Sequence, residues 1–197
     1  MRSFVKGSVS VVFRRGLFLV VLNWLFFGLV VVGALLAQGG YFGGFEWPVS
    51  EEISQLEVDN PAVMITTIFL SNLVLSGFVL VTLSGFAFFA LPVLILSVRG
   101  LLWGVLLNGL PAPWFLLAFP TLILEGEGYA FAGVAGVNLG LSWLKPKWAY
   151  EGQDLSRLES VMRALKDCVR IYVLVAVFLF MAAVVETATI SLLGMIS

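Results

Sequence analysis

The sequence contains no histidine and a single cysteine, Cys168. A disulfide within the chain is therefore impossible, and so are zinc sites built from cysteine and histidine. Serine and cysteine nucleophiles lack the histidine that usually activates them, and the sequence has no G-x-S-x-G, H-E-x-x-H or P-loop pattern. We expect no catalytic site, no bound metal and no cofactor.

Charged residues are scarce as well, since they make up 12% of the chain, where soluble domains carry about 25%. Hydrophobic residues make up 60%, and the mean hydropathy is +1.06. We therefore predict an all-α polytopic transmembrane helix bundle in the cell membrane, formed by residues 1–197 as one domain. The lipid bilayer is its expected environment, and we expect no nucleic-acid partner.

The first predicted span is residues 16–37, an uncharged run that can cross a hydrocarbon core of about 30 Å. Basic residues precede it, and acidic residues without any lysine or arginine follow it in segment 38–60. Because cytoplasmic loops are enriched in lysine and arginine, we predict a cytoplasmic N-terminus and an external acidic loop. The basic residues are Arg2, Lys6, Arg14 and Arg15, and the acidic residues are Glu46, Glu51, Glu52, Glu57 and Asp59.

Residues 61–144 are too many for one crossing and are followed by the basic residues Lys145 and Lys147. An odd number of crossings returns these lysines to the cytoplasm, and three spans fit. We predict that Pro120 begins the last of the three and that Pro111–Pro120 forms a short re-entrant or broken segment. A fifth span then leads to an external C-terminus. The predicted spans after the first are about 62–81, 85–107, 121–144 and 171–190.

Residues 154–170 are predicted to form an amphipathic cytoplasmic helix that can run directly into the fifth span. Apolar residues recur there at steps of three and four, and Ser156 and Glu159 have the spacing of a capping box. The apolar seam can bind a partner helix, or it can pack on the protein's own bundle or on the membrane surface. It consists of Leu155, Leu158, Met162, Leu165, Val169 and Tyr172.

Polar residues inside the predicted spans form the candidate site. The directions of the spans place them at similar depths in the outer half of the bilayer, so we predict one polar cluster. It is either a buried ion pair that orients the helices or a site that binds or conducts a cation or proton. The residues are Asn72, Arg99, Glu125, Glu127 and Glu186.

Small residues repeat every four positions in two predicted spans, a pattern that lets helix backbones approach closely. Glu125 precedes one of these residues by three positions, so we expect it to point into a helix interface and away from lipid. The ridges can serve helices of one chain or mediate self-association. They are Gly100 and Gly104 in one span, and Gly128, Ala132, Gly136 and Gly140 in the next.

The motif formed by Phe119-Pro120, Glu125 and the run AGVAGVNLG at 132–140 resembles the signature stretch of the stage II sporulation protein M family. Asn72, segment 99–104 and segment 185–188 are similar to weaker family features. Arg99 stands where members typically have asparagine, and Thr121 where they typically have histidine. The resemblance extends from about residue 62 to the end. It implies a multi-pass protein that, in endospore formers, belongs to a membrane complex with cell-wall hydrolytic enzymes.

Three functions are compatible with these residues. The leading hypothesis is a non-enzymatic scaffold or a subunit of a membrane complex. The apolar seam at 155–172 and the acidic external loop offer surfaces for protein partners, and no reaction centre is visible. The alternative is a transporter or channel that uses the polar cluster beside the proline-rich segment. A hydrolase in which Glu125 or Glu127 activates water is disfavoured, because no histidine assists it.

Overall fold

The computed structural model describes residues 15–42, 60–108, 110 and 112–194. Arg2, Lys6, Arg14 and the acidic residues of the predicted external loop lie outside these ranges. All regular elements within the described residues are helices: α1 (Gly16–Gln38), α2 (Pro61–Ala87), α3 (Leu91–Asn108), α4 (Ala112–Leu144), α5 (Pro146–Ala149) and α6 (Arg157–Gly194).

Five of the helices, α1, α2, α3, α4 and α6, are long and apolar enough to cross a membrane. Their outer faces carry exposed apolar side chains, among them Leu17, Trp24, Leu94 and Phe180. Such faces suit contact with lipid tails, because a hydrocarbon environment does not penalise their exposure. The predicted all-α bundle of five spans is confirmed, and the chain is a multi-pass membrane protein.

Helix α2 has a wider middle section than an ordinary α-helix. Its start is capped by Asn60, whose Oδ1 accepts a hydrogen bond from the Ala62 N–H at 3.0 Å, and Pro61 follows at the first helical position. Segment Ser71–Leu83 is then π-helical before the α-helix resumes at Ser84. π-Helical turns are rare and often occur at functional sites, and this one carries Asn72.

Helix α4 begins at Ala112 and continues through Pro120 without a break. The interpretation of Pro111–Pro120 as a separate re-entrant piece, with Pro120 opening the span, is therefore wrong. Membrane helices tolerate an internal proline when side chains of neighbouring helices bond nearby carbonyls. Thr189 of α6 does so here, since its Oγ1 donates to the Leu117 carbonyl at 3.4 Å.

Helix α4 is the central element of the bundle. It packs along α6 and also contacts α1, α2 and α3, and most of its residues from Thr121 to Ser142 are buried. The core around it includes Tyr129 and Val134 of α4, Leu96 of α3 and Leu179 of α6. A polar group on α4 is therefore held among four other helices.

Helices α1 and α3 form a second closely packed pair. A Cβ atom at Gly100 would lie 2.6 Å from the Phe26 carbonyl oxygen, and one at Gly104 would lie 2.7 Å from the Ala34 nitrogen. A side chain at either glycine would push the two backbones apart. These two positions of the small-residue pattern therefore pack against α1 of the same chain.

Helix α6 runs unbroken for 38 residues, from Arg157 to Gly194. The predicted amphipathic helix and the fifth span are thus one helix. Its start has the predicted capping box, in which the Glu159 N–H donates to Ser156 Oγ at 3.3 Å and the Ser156 N–H donates to Glu159 Oε2 at 2.9 Å.

Candidate functional site: an intramembrane polar ring and an exposed helix face

Four side chains from three helices form a closed polar ring inside the bundle. Arg99 Nη2 donates to the Tyr129 hydroxyl at 2.7 Å, and that hydroxyl donates to Asn72 Oδ1 at 2.8 Å. Asn72 Nδ2 donates to Glu125 Oε1 at 2.7 Å, and Glu125 Oε2 lies 3.8 Å from Arg99 Nη2. The guanidinium carbon of Arg99 is also 4.0 Å from the centroid of the Tyr129 ring. Asn72, Arg99 and Glu125 therefore come together as predicted members of one cluster.

The ring compensates charge where hydrocarbon would penalise it strongly. The Glu125 side chain is 4% exposed and the Arg99 side chain 28% exposed. A lone charge at the centre of a span costs roughly 2.5 to 3.5 kcal/mol on insertion scales, so opposite charges at this separation stabilise one another. Two buried atoms of the ring nevertheless form no hydrogen bond with any described residue: the donor Arg99 Nε and the acceptor Glu125 Oε2.

Glu186 lies beside the ring but is not part of it. It lines the same cavity as Asn72, Arg99 and Glu125 and is close enough to interact electrostatically with Arg99 and Glu125. No described residue forms a hydrogen bond or an ion pair within 4 Å with it. Glu186 is therefore the unpaired carboxyl group of the cluster.

The cavity above the ring has a volume of about 480 Å³ and is partly open. We call it the groove. Its apolar lining residues are Ile68 of α2 and Leu102, Trp103 and Leu106 of α3. Its polar lining residues are Thr67, Ser71, Asn72, Arg99, Glu125 and Glu186, which include three of the four members of the ring. The groove exists because the first turns of α2 pack against α6 whereas α3 packs against α1, so its two walls diverge.

Glu127 is not brought into the cluster. Its Oε2 accepts a hydrogen bond from Asn23 Nδ2 of α1 at 3.4 Å. Two residues along an α-helix are separated by about 200° around its axis, so Glu125 and Glu127 face different neighbours. The placement of Glu127 at the common polar site is therefore wrong.

Tyr129 and Asn23 are polar partners that the sequence analysis did not identify. Tyr129 lies four residues after Glu125, and this spacing places both side chains on one face of α4. That signal was present in the sequence, but a tyrosine in an apolar span ordinarily reads as a packing residue. Asn23 carried the same kind of signal, a single amide within an uncharged run.

The small-residue ridge of α4 faces three different neighbours within this chain. A Cβ atom at Gly128 would lie 2.7 Å from Leu179 Cδ2, and one at Gly136 would lie 2.9 Å from the Val81 carbonyl oxygen. One at Gly140 would lie 2.7 Å from Phe89 Cα. Ala132 is fully buried, and its carbonyl accepts a hydrogen bond from Thr82 Oγ1 at 3.0 Å. The ridge therefore serves packing inside one bundle.

A second cluster of polar side chains, which includes Arg15 and Arg163, lies at the opposite end of the bundle. The guanidinium carbons of Arg15 and Arg163 lie 5.5 Å and 5.1 Å from the centroid of the Tyr150 ring. The Tyr150 hydroxyl donates to Asp167 Oδ2 at 3.1 Å, and burial raises the pKa of Tyr150 to about 12. Tyr150 therefore stays protonated and ties the starts of α1 and α6 to the segment between α4 and α6.

The first turns of α6 expose the apolar seam that the sequence predicts. Ser160, Ala164, Asp167 and Cys168 face the bundle on the opposite side of the helix and are buried. Leu155 and Tyr172, at the two ends of the seam, pack against the core of the bundle, as one of the interpretations expected. No described residue covers the four residues between them, so that interpretation is wrong for this middle part of the seam. We call its exposed part the α6 stripe. It consists of Leu158, Met162, Leu165 and Val169, which are 74%, 51%, 45% and 63% exposed.

Among the residues that the structure describes, no group of three or more cysteine, aspartate or glutamate side chains is arranged to hold a metal ion. The arrangement of the ring can join three helices and hold an arginine in the membrane. The groove can accept a small molecule, since its volume falls within the range of about 300 to 1,000 Å³ typical of ligand pockets.

Comparison with known proteins agrees with this architecture. The family model for Stage II sporulation protein M matches residues 17–189. Searches of curated proteins and of solved structures gave no match. The match includes α1, which lies before the region where the sequence resemblance was recognised, and it contains every residue of the polar ring together with Glu186. The chain therefore belongs to the Stage II sporulation protein M family.

Proposed function

We propose that this protein is a non-enzymatic subunit of a membrane complex and that the α6 stripe binds a helix of a partner protein. The observation that carries the proposal is the exposure of four apolar side chains at the charged end of α6. Side chains of this type and spacing form the contact seam of paired helices. A seam that is exposed in the single chain is available to another protein.

The length of α6 favours a partner protein over the membrane surface as the occupant of the stripe. An α-helix of 38 residues is about 57 Å long, and the hydrocarbon core is about 30 Å thick. Because the helix is unbroken, its first turns continue the direction of the span and do not lie flat on the bilayer. Leu158, the most exposed member of the stripe, is also the farthest from the span.

Charge beside the stripe indicates the chemistry of the partner. Arg163, Lys166 and Arg170 lie along one flank with the acids Glu159 and Asp167, so the basic residues are in excess there. Asp167 is ion-paired with Arg170 at 3.6 Å. A partner helix with apolar residues at the same spacing and acidic residues beside them would complement this flank. By the positive-inside rule this end is cytoplasmic, with the C-terminus external, and the partner helix would be a cytoplasmic one.

The polar ring supports a structural role for the charged residues in the membrane. Each of its four members bonds two others, so the ring links α2, α3 and α4 without leaving a nucleophile and base side by side. Membership in the Stage II sporulation protein M family is compatible with a role as a subunit of a membrane complex.

Photo-crosslinking in the native membrane tests the proposal. Benzoylphenylalanine is placed at Met162, or as a matched control at Phe180, which is similarly exposed on the same helix but inside the span. We expect a discrete heteromeric adduct from Met162 alone, with a protein that carries an acidic amphipathic helix. The variant Leu158→Glu/Leu165→Glu should lose the adduct yet keep its thermal stability, because exposed substitutions usually change stability by less than about 0.5 kcal/mol.

Other products would contradict the proposal. Adducts with lipid alone would mean that the stripe rests on the membrane. A product of twice the chain mass would indicate self-association, and a crosslink within one chain would mean that a segment outside the described residues covers the stripe. An adduct that survives the double glutamate substitution would show that the stripe is not the contact.

A further inference from the structure

We infer that the groove binds a primary ammonium group carried on an apolar chain. This site lies toward the opposite end of the bundle from the α6 stripe and is independent of the function proposed for that stripe. Its walls supply both parts of such a ligand's environment, because carboxyl groups and apolar side chains both line the groove.

The charge of the groove favours a cation. Arg99 and Glu125 neutralise one another across 3.8 Å, and Arg99 is further occupied by the Tyr129 hydroxyl and ring. Glu186 has no such partner among the described residues, so the ring and Glu186 together carry one uncompensated negative charge when both carboxyls are ionised. In the bilayer a bound monovalent cation would remove that charge, whereas an anion would double it.

Hydrogen-bonding geometry favours a primary ammonium over a cation without N–H groups. Glu125 Oε2 is buried and belongs to a side chain that lines the groove. It is ion-paired with Arg99 Nη2 at 3.8 Å but accepts no hydrogen bond from any described residue. An ammonium group has three donors, enough to bond this oxygen and the Glu186 carboxylate together. A hydrogen bond donated to this buried acceptor contributes binding energy that a quaternary ammonium, which has no N–H group, cannot obtain.

The remaining wall fits an apolar chain. Ile68, Leu102 and Leu106 are aliphatic, and Trp103 adds an aromatic ring to the lining, a group that attracts cations. An alkyl chain placed there would replace lipid tails at little cost, because both are hydrocarbon. The ligand class is therefore an amphiphilic amine, whether a free alkylamine or a lipid with an aminoethyl headgroup.

Calorimetric titration with hexylammonium tests the inference on the full chain in phosphatidylcholine nanodiscs, with empty nanodiscs subtracted. We expect saturable binding to the unmodified protein and none of comparable affinity for hexanol, which has the same chain without the charge. Glu186→Gln should weaken hexylammonium binding about tenfold or more, the loss expected for a charged hydrogen bond. The matched control Glu127→Gln removes an intramembrane carboxyl outside the groove and should leave affinity unchanged.

A second variant separates binding from folding. Leu106→Trp fills the apolar part of the groove without changing any charged residue, so it should also abolish binding. Glu186→Gln and Leu106→Trp should both keep the melting temperature of the unmodified protein. Adding phosphatidylethanolamine to the nanodiscs identifies the source of the amine. Competition with hexylammonium assigns the site to a lipid headgroup, and its absence assigns it to a free amine.

Three results would overturn the inference. They are the absence of saturable hexylammonium binding, equal binding of hexanol, and equal loss of affinity in Glu186→Gln and Glu127→Gln. None of them bears on crosslinking at the α6 stripe, so the two proposals can fail separately.

Discussion

Replacing Arg99 with leucine removes the positive charge from the polar ring and leaves the Glu125 carboxylate with Asn72 as its remaining partner in that ring. Breaking one side of a buried ion pair costs about 3 to 5 kcal/mol in soluble proteins. The Arg99 side chain is 28% exposed, and polar groups in membranes find substitute partners, so the loss should be smaller. We expect the free energy of unfolding to fall by about 2 to 3 kcal/mol.

A second substitution identifies the interaction responsible. Glu125→Gln removes the stranded negative charge but keeps an oxygen that can accept the hydrogen bond from Asn72. In the Arg99→Leu background it should restore about 1 to 1.5 kcal/mol, within the range measured for polar pairs between membrane helices. Glu186→Gln should restore less than about 0.5 kcal/mol, because Glu186 is not ion-paired with Arg99.

The assay is reversible unfolding of the full chain by sodium dodecyl sulfate in lipid bicelles, followed by tryptophan fluorescence. Glu127→Gln serves as the control, because Glu127 contacts Asn23 and should show no coupling with Arg99. If Arg99→Leu and Glu125→Gln are additive within about 0.3 kcal/mol, the ring does not hold the helices together. Coupling to Glu127 as strong as that to Glu125 would equally refute the reasoning.

Two further predictions concern packing and orientation. Gly136→Leu should destabilise the bundle by at least about 1 to 3 kcal/mol in the same assay, because a Cβ atom there meets the α2 backbone, whereas Gly28→Leu has open space and should have little effect; equal stability of both variants would contradict the packing. In a Cys168→Ser background, a cysteine at Glu151 should react with a membrane-impermeant reagent only from the cytoplasmic side, and one at Tyr41 only from outside. The reverse pattern would invert the topology. Cys168 itself is a poor probe because it is buried.

The number of spans was predictable because it depends on a coarse property. Uncharged runs of sufficient length must cross the bilayer as helices, since backbone polar groups have no other way to be satisfied there. The positions at which helices begin and end depend on smaller free-energy differences. Pro120 costs a hydrogen bond wherever it occurs in a helix, and the Thr189 hydroxyl that helps to accommodate it comes from a helix about 70 residues later in the chain.

Depth in the membrane was predictable, but direction around the helix axis was not fully so. Asn72, Arg99 and Glu125 were placed together because span direction and residue count fix their height. Glu127 has nearly the same height, and it was misplaced because height does not reveal which neighbour a side chain faces. The spacing of the α6 stripe was evident from the sequence, but the side of the helix that faces the bundle was not. Ser160, Ala164 and Asp167 form the face that packs against the bundle, and the stripe is therefore exposed.

The close backbone contact between α1 and α3 bears on how the protein is made. Ribosomes synthesise α3 before α4, so Arg99 enters the bilayer before Glu125 and Tyr129 do. At that moment both of its bonding partners in the ring are absent from the membrane, and the insertion cost of the arginine must be offset by other contacts. Gly100 and Gly104 follow that arginine by one and five residues. They let α3 pack closely on α1, which is already inserted. The two glycines thus allow α3 to pack against α1 while the charge of Arg99 still lacks its counter-charge on α4.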